Sequence, residues 1–218
     1  MSDTQIKDMP VLTLEGVVVT RGELPLCQAV DLCLHRGEIC HLLGENGLGK
    51  TTLLMQIMGL LPTLFGQVSY LGEQGVARGA LYISHQAGVH ENLSVRQNLR
   101  YLLALYGETP SEDALKSALA SVGLLGFEDL PVAGLSAGQT RRVGLARLWL
   151  LSPKVTPLWV LDEPLTALDV AMVARLCERF TAFAQAGGAV LLTSHQPVPV
   201  ATHSFSLVAQ TGEEDDWA

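Results

Sequence analysis

Charge is scarce in this chain. Asp, Glu, Lys and Arg make up 17% of its 218 residues, against 48% hydrophobic residues. A disordered chain needs the opposite balance, so a packed core is expected. Unbroken apolar runs are also missing. Thr51–Gly72 and Thr181–Gly212 carry no charged side chain other than histidine, yet Gly59, Pro62 and Gly66 interrupt the first, and Gly187, Gly188, Pro197 and Pro199 the second. Neither provides the roughly 18 continuous apolar residues of a spanning helix. Met1–Pro10 is polar and has no apolar h-region, so no secretory signal is read and a cytoplasmic chain is expected. Cations are in deficit, with 14 Lys+Arg against 22 Asp+Glu and a formal net charge of −8. No basic face is present to neutralise phosphates, which excludes nucleic acid as the main partner. Four of the acids, Glu213, Glu214, Asp215 and Asp216, read as a solvated tail. Cys27, Cys33, Cys40 and Cys177 show no C-x-x-C spacing and are expected as small core residues.

Apolar, β-branched runs alternate with helical patterns, the mark of an α/β fold with a mostly parallel sheet. Strands are expected at Val11–Val19, Leu26–Leu34, Ile39–Leu43, Gln67–Leu71, Ala80–Ile83, Leu158–Leu161, Ala189–Thr193 and Phe205–Val208, the first two as an antiparallel edge of the sheet. Between the fifth and sixth runs only helical signals occur. Ser94 and Gln97 have capping-box spacing, followed by Val95, Leu99, Leu102, Leu103 and Tyr106. A second helix is expected to start at Thr109 as N-cap with Pro110 and Glu112 behind it, and to stop at Gly123. The expected organisation is a core of residues 1–86 and 152–212, an inserted helical subdomain over 87–151, and the tail 213–218.

Gly44-Glu45-Asn46-Gly47-Leu48-Gly49-Lys50-Thr51 fits G-x-x-x-x-G-K-[ST] between an apolar strand and a helical pattern. Glycines let backbone N–H groups curl around a β-phosphate, and the new helix, through Thr52, turns its positive end there. Lys50 reaches the β- and γ-phosphates, and the Thr51 hydroxyl is placed to ligate Mg²⁺. Random placement of these residues would give such a match about 0.004 times, so an ordinary Gly-rich turn is set aside. Leu158–Leu161 then runs into Asp162 and Glu163. A buried parallel strand delivers Asp162 to the phosphate end of the sheet as a Mg²⁺ ligand, with Glu163 beside it as general base.

With Leu135-Ser136-Ala137-Gly138-Gln139 added, the chain resembles the ABC-transporter ATPases, and the match in motif order extends over nearly its whole length. The resemblance implies a P-loop ABC ATPase fold that hydrolyses ATP with Mg²⁺. It makes Gln86 the Q-loop residue touching Mg²⁺ and water, Thr166-Ala167-Leu168-Asp169 the D-loop, and His195 the contact to the γ-phosphate. It also implies a head-to-tail homodimer, with each ATP between one P-loop and Ser136, Gly138 and Gln139 of the other copy. Ser136 and Gln139 equally read as a capping box for a helix over Ala137–Leu151, and a capped helix start is itself an anion site. His85 and His90 have no motif support and read as surface or packing residues.

Finer matches are similar to the ATPase subunits of cytochrome c maturation haem exporters: His85-Gln86-Ala87-Gly88, Gly126–Val132, Arg141-Arg142-Val143, Leu145–Leu150, His195-Gln196-Pro197 and the Ala137 variant. That implies integral-membrane permease partners and a peripheral place on the cytoplasmic face of the inner membrane. The other readings are the ATPase of a different ABC transporter and a nucleotide-gated dimerisation module with little turnover, against which Glu163 argues. The short chain leaves no room for the second ATPase unit or long coiled coil of ABC proteins of repair and translation. One departure stands out. The family stacks adenine on an aromatic residue after the first strand, whereas this chain has Val18-Val19-Thr20-Arg21-Gly22, leaving Arg21 to stack on the base or the base loosely held.

Overall fold

Three apolar runs become strands buried on both faces: β5 (Ile39–Leu43), β9 (Leu158–Leu161) and β10 (Ala189–Thr193). The computed structural model describes residues 10–22, 24–86 and 88–210; Ala87 at the expected subdomain boundary and the acidic tail lie outside them. Together with β8 (Leu81–Ile83) and β11 (His203–Ser206), these strands form a five-stranded sheet in the order β11-β5-β10-β9-β8, parallel throughout. Alternate residues serve two cores. On β9, Leu158 and Val160 face one core, while Trp159 and Leu161 face the other. The register pairs Ile83 and Leu192 with Leu161, and Thr193 with Leu42, so the carboxyl ends lie along one edge. The loops starting at Ser84, Asp162, Ser194 and Gly44 therefore open side by side, where α/β sheets bind ligands.

The first two expected strands do not border this sheet. β1 (Pro10–Val17) pairs antiparallel with β4 (Val30–His35) and with β6 (Gln67–Tyr70), and β7 (Glu73–Gln74) completes a separate sheet ordered β4-β1-β6-β7. Its inner face packs on the first face of the parallel sheet, with Val11, Leu32, Leu34 and Val68 in one core with Cys40, Leu42 and Val160. A short hairpin, β2 (Thr20–Arg21) and β3 (Leu24–Pro25), precedes the expected second strand, which begins only at Val30 because Cys27 forms an isolated bridge to Ala209 instead. Of the cysteines, Cys27, Cys40 and Cys177 are buried as expected, and burial pushes the Cys40 thiol up to about 12. Cys33 is not. It points outward from β4, where residues alternate buried and exposed, with His35 Nε2 3.6 Å from its Sγ.

Helix α1 (Lys50–Ile57) follows β5, and α5 (Val170–Gln185) packs its Leu176, Phe180 and Phe183 on the opposite face of the sheet. Between β8 and β9 come α2 (Val95–Ala104), α3 (Glu112–Ser121) and α4 (Ala137–Ala146). The Ser94 capping box forms as expected, and Gly123 ends α3 with φ of 71°. The α3 start is two residues later than the sequence suggested. Ser111 is the N-cap, accepting from the Ala114 N–H, because the Glu112 side chain is drawn into ion pairs with Arg96 and Arg100 and serves no capping box. Helix α4 is also shorter than expected, tightening into a 3₁₀ turn at Arg147–Trp149.

Candidate functional site

The loop after β5 has a backbone only glycine tolerates at its end. Gly49 has φ of 89°, and a Cβ there would lie 2.5 Å from Val19 Cγ1. As N-cap of α1, Gly49 offers no side-chain acceptor, and no acid occupies the first turn. The first N–H groups of α1 are thus left for an anion, with the positive end of the helix behind them. Lys50 Nζ donates to Gly44 O at 2.7 Å and to Glu45 O at 3.1 Å, folding the ammonium over the loop.

The second half comes from the ends of β9 and β10. Asp162 is 2% exposed; its Oδ2 accepts from the Thr51 hydroxyl at 2.8 Å and its Oδ1 from the Thr193 hydroxyl at 2.8 Å. Glu163 sits at φ of 51°, a left-handed conformation that a non-glycine residue seldom adopts and that concentrates at functional sites. Its N–H donates to Thr193 Oγ1 at 2.9 Å, and its Oε2 accepts from the Thr166 hydroxyl and from the His195 N–H, each at 3.3 Å. His195 Nε2 lies 3.5 Å from Glu163 Oε1. Arg21, Leu26, Asn46, Gly47, Gly49, Lys50, Thr51, Thr52, Asp162, Glu163 and His195 line one cavity of about 270 Å³. Gly44, Glu45 and Leu48 build the loop beneath it through the Lys50 contacts and the Leu48 N–H to Glu45 O bond of 3.4 Å.

The remaining expected residues stand elsewhere. Gln86 is exposed and does not line that cavity; its N–H donates to Ser84 Oγ at 3.3 Å. Ser136 and Gln139 are joined in the capping box of α4, and Gly138 lies beside the D-loop segment, where a Cβ would meet Ala167 O at 3.4 Å. Asp169 caps α5, its Oδ1 accepting from the Met172 N–H at 2.8 Å and its Oδ2 pairing with Arg142. The Met172 N–H, and after it the Arg142 charge, hold this carboxyl below the usual range. Chain neighbours of these groups, among them His85, Ala137, Thr140, Arg141, Thr166 and Ala167, line a second cavity of about 440 Å³. His85 and His90 are both exposed.

Three residues at the site receive no role from the motifs, although Arg141 stands within one of the finer matches. Thr193 bridges Asp162 and the Glu163 N–H, and its only signal is a hydroxyl at the end of an apolar strand. His41, buried on β5, donates from Nε2 to Ser194 O at 3.0 Å and fixes the peptide before His195. Arg141 reaches four backbone carbonyls at the ends of β8 and β9.

The donor set suits Mg²⁺. That ion keeps several waters and takes one or two carboxylates plus phosphate oxygens in place of an all-protein cage. Among the described residues no three His, Cys, Asp or Glu side chains converge as a cage, while the buried Asp162 carboxylate and the Thr51 hydroxyl meet at the mouth of the loop.

The model of the family described as ABC transporter matches residues 27–166. The chain belongs to the ABC transporter family. It is an ATP-binding, ATP-hydrolysing subunit of that family, and its relatives carry a more specific name. "Cytochrome c biogenesis ATP-binding export protein CcmA 1" of Salmonella paratyphi A is 45% identical over 211 residues, covering 94% of this chain and 98% of the relative. The CcmA of Vibrio cholerae is 43% identical, covering 85% of this chain and 91% of its own, and that of Pseudomonas fluorescens 45%, covering 85% and 89%. Among solved structures, a putative ABC transporter ATP-binding protein from Pyrococcus furiosus superposes with a TM-score of 0.81 at 25% identity, covering 91% of this chain and 99% of its own. A nucleotide-free ATP-binding cassette of an ABC transporter gives 0.75 at 20% identity over 92% and 88%, a likeness of fold alone. This ABC ATPase thus has the α/β P-loop fold. No helix among its described residues is long and apolar enough to cross a membrane.

Proposed function

We propose that this ABC ATPase powers a membrane complex of cytochrome c biogenesis, moving haem or releasing a haem-loaded chaperone. The supporting observation is near full-length 45% identity to a protein named for ATP-binding export in that process. Two copies act head to tail, with integral-membrane permease subunits as partners at the cytoplasmic face of the inner membrane. Residues 1–86 and 152–212 form the core, and the helices of 87–151 meet the membrane partner.

The chemistry follows from the residues. Lys50 and the N–H groups from Gly47 to Thr52 hold the phosphates, while Arg21 lies against the base. Thr51, Asp162 and Gln86 would hold Mg²⁺, which would supply charge that offsets the phosphate oxygens. Glu163 accepts a proton as the oxygen of a water bonds to the γ-phosphorus and the bond to the bridging oxygen of ADP breaks. His195 contacts the γ-phosphate and holds the geometry. Ser136, Gly138 and Gln139 of the second copy close over the same phosphate, and Asp169 supports that contact.

Affinity purification of the tagged full chain from detergent-extracted membranes of its own cells tests the assignment. The expected result is co-elution of integral-membrane proteins together with cytochrome c biogenesis factors. Recovery of the chain alone, or with the permease of an unrelated solute transporter, would overturn it.

A further inference from the structure

The Arg141 guanidinium lies on the buried side of α4, one turn beyond the capping box, and is 6% exposed at the residue level. Nη1 donates to Ser84 O at 2.7 Å and His85 O at 2.9 Å; Nη2 donates to Glu163 O at 2.8 Å and Asp162 O at 3.3 Å. A single planar fork thus ties the end of β8, which leads to Gln86, to the end of β9, which carries Glu163. Lysine cannot reproduce that fork, because it offers one point charge in place of a fixed array of donors.

What the fork holds is the strained residue of the site. A left-handed non-glycine conformation persists only where its surroundings over-determine it. At Glu163 the N–H is held by Thr193 Oγ1 and the carbonyl by Arg141 Nη2, so the peptide groups on both sides of its Cα are fixed. Bonds from a charged donor to carbonyls are stronger than neutral ones, and losing them would leave Glu163 O with only the Thr166 N–H, at 3.3 Å, and strip the Ser84, His85 and Asp162 carbonyls of this donor.

We propose that Arg141 is a positioning residue for catalysis: it holds Glu163 in the left-handed conformation that aims its carboxylate at the attacking water. This rests on the reading of Glu163 as general base. Arg141 does not line the cavity at the phosphate loop, and it acts through the backbone of Glu163.

The test is a double-substitution cycle on the full chain, read as steady-state ATP hydrolysis. Arg141→Met should lower kcat at least tenfold while KM for ATP changes less than twofold, and Arg141→Lys should recover part of kcat. Because Arg141 acts through Glu163, the loss should shrink to less than twofold when Arg141→Met is made on top of Glu163→Gln. An equal loss in both backgrounds, or a kcat for Arg141→Met within twofold of the parent, would overturn the proposal. If Arg141→Met does not fold, the same comparison is made with Arg141→Lys, for which a smaller loss confined to the parent background is expected and background-independent loss is contrary. Failure of the base assignment is read separately, from the turnover of Glu163→Gln alone.

Discussion

Thr51 and Asp162 lie 111 residues apart in the chain and meet through a 2.8 Å hydrogen bond in which the hydroxyl donates to Oδ2. One lies in the first turn of the phosphate loop's helix and the other directly follows a buried strand, so the register of the parallel sheet sets their meeting. Asp162→Asn keeps the side-chain shape but removes the anion that suits Mg²⁺. It should reduce Mg²⁺-dependent phosphate release by about 100-fold, while nucleotide binding measured with excess chelator stays near that of the parent. Equal loss of binding without the metal would assign Asp162 a purely structural part.

The base contact makes a second prediction. Arg21 and Leu26 line the cavity, and among the described residues no Phe, Tyr or Trp does. Arg21→Ala should raise KM for ATP by about two- to fivefold, the scale of an exposed cation–π contact, with kcat unchanged. Arg21→Trp should lower KM. Unchanged KM in both variants would mean the base rests elsewhere.

Ser94 and Ser136 start α2 and α4 with the same capping box, which separates capping from chemistry. Loss of either N-cap should cost about 1 kcal/mol of stability in urea unfolding. Only Ser136→Ala should also lower ATP turnover. Equal effects of both substitutions on turnover would reduce Ser136 to a helix cap.

The Asp169 carboxyl sits below its ordinary range, held there first by the Met172 N–H and then by Arg142. A group whose folded pKa is depressed stabilises the fold above its unfolded value, about 3.9, and loses that contribution as pH falls through the folded value. Asp169→Asn should therefore be less stable than the parent at neutral pH, with the gap closing below about pH 4. The gap should also narrow with added salt, because the pair is exposed. A gap that stays constant from pH 7 to pH 2 would refute the assignment.

Much of this site could be read from the chain because its parts are local. The glycine spacing of 44–49 and the carboxylates after Leu161 require no knowledge of partners. The second sheet was less visible, although its signal was present: β4 alternates buried and exposed residues, whereas β5, β9 and β10 do not. Alternation marks a half-solvated antiparallel strand but does not say which strand pairs with it. Thr193, His41 and Arg141 were hidden for a related reason. Their partners are groups across the sheet or in another loop, and no spacing within the chain announces a backbone acceptor 21 or 57 residues away. Cys33 reads as apolar by residue type, but the parity of β4 turns it outward.

The proposed hydrolysis turns on Glu163 as the group that takes the proton from water. The most direct measurement is ATP turnover by the full chain with Glu163→Gln, alongside the size of the species formed with Mg²⁺-ATP. The amide cannot accept the proton, so kcat should fall by about 100- to 10,000-fold, with ATP retained unhydrolysed in a dimer. Hydrolysis by Glu163→Gln at the parent rate would contradict the account.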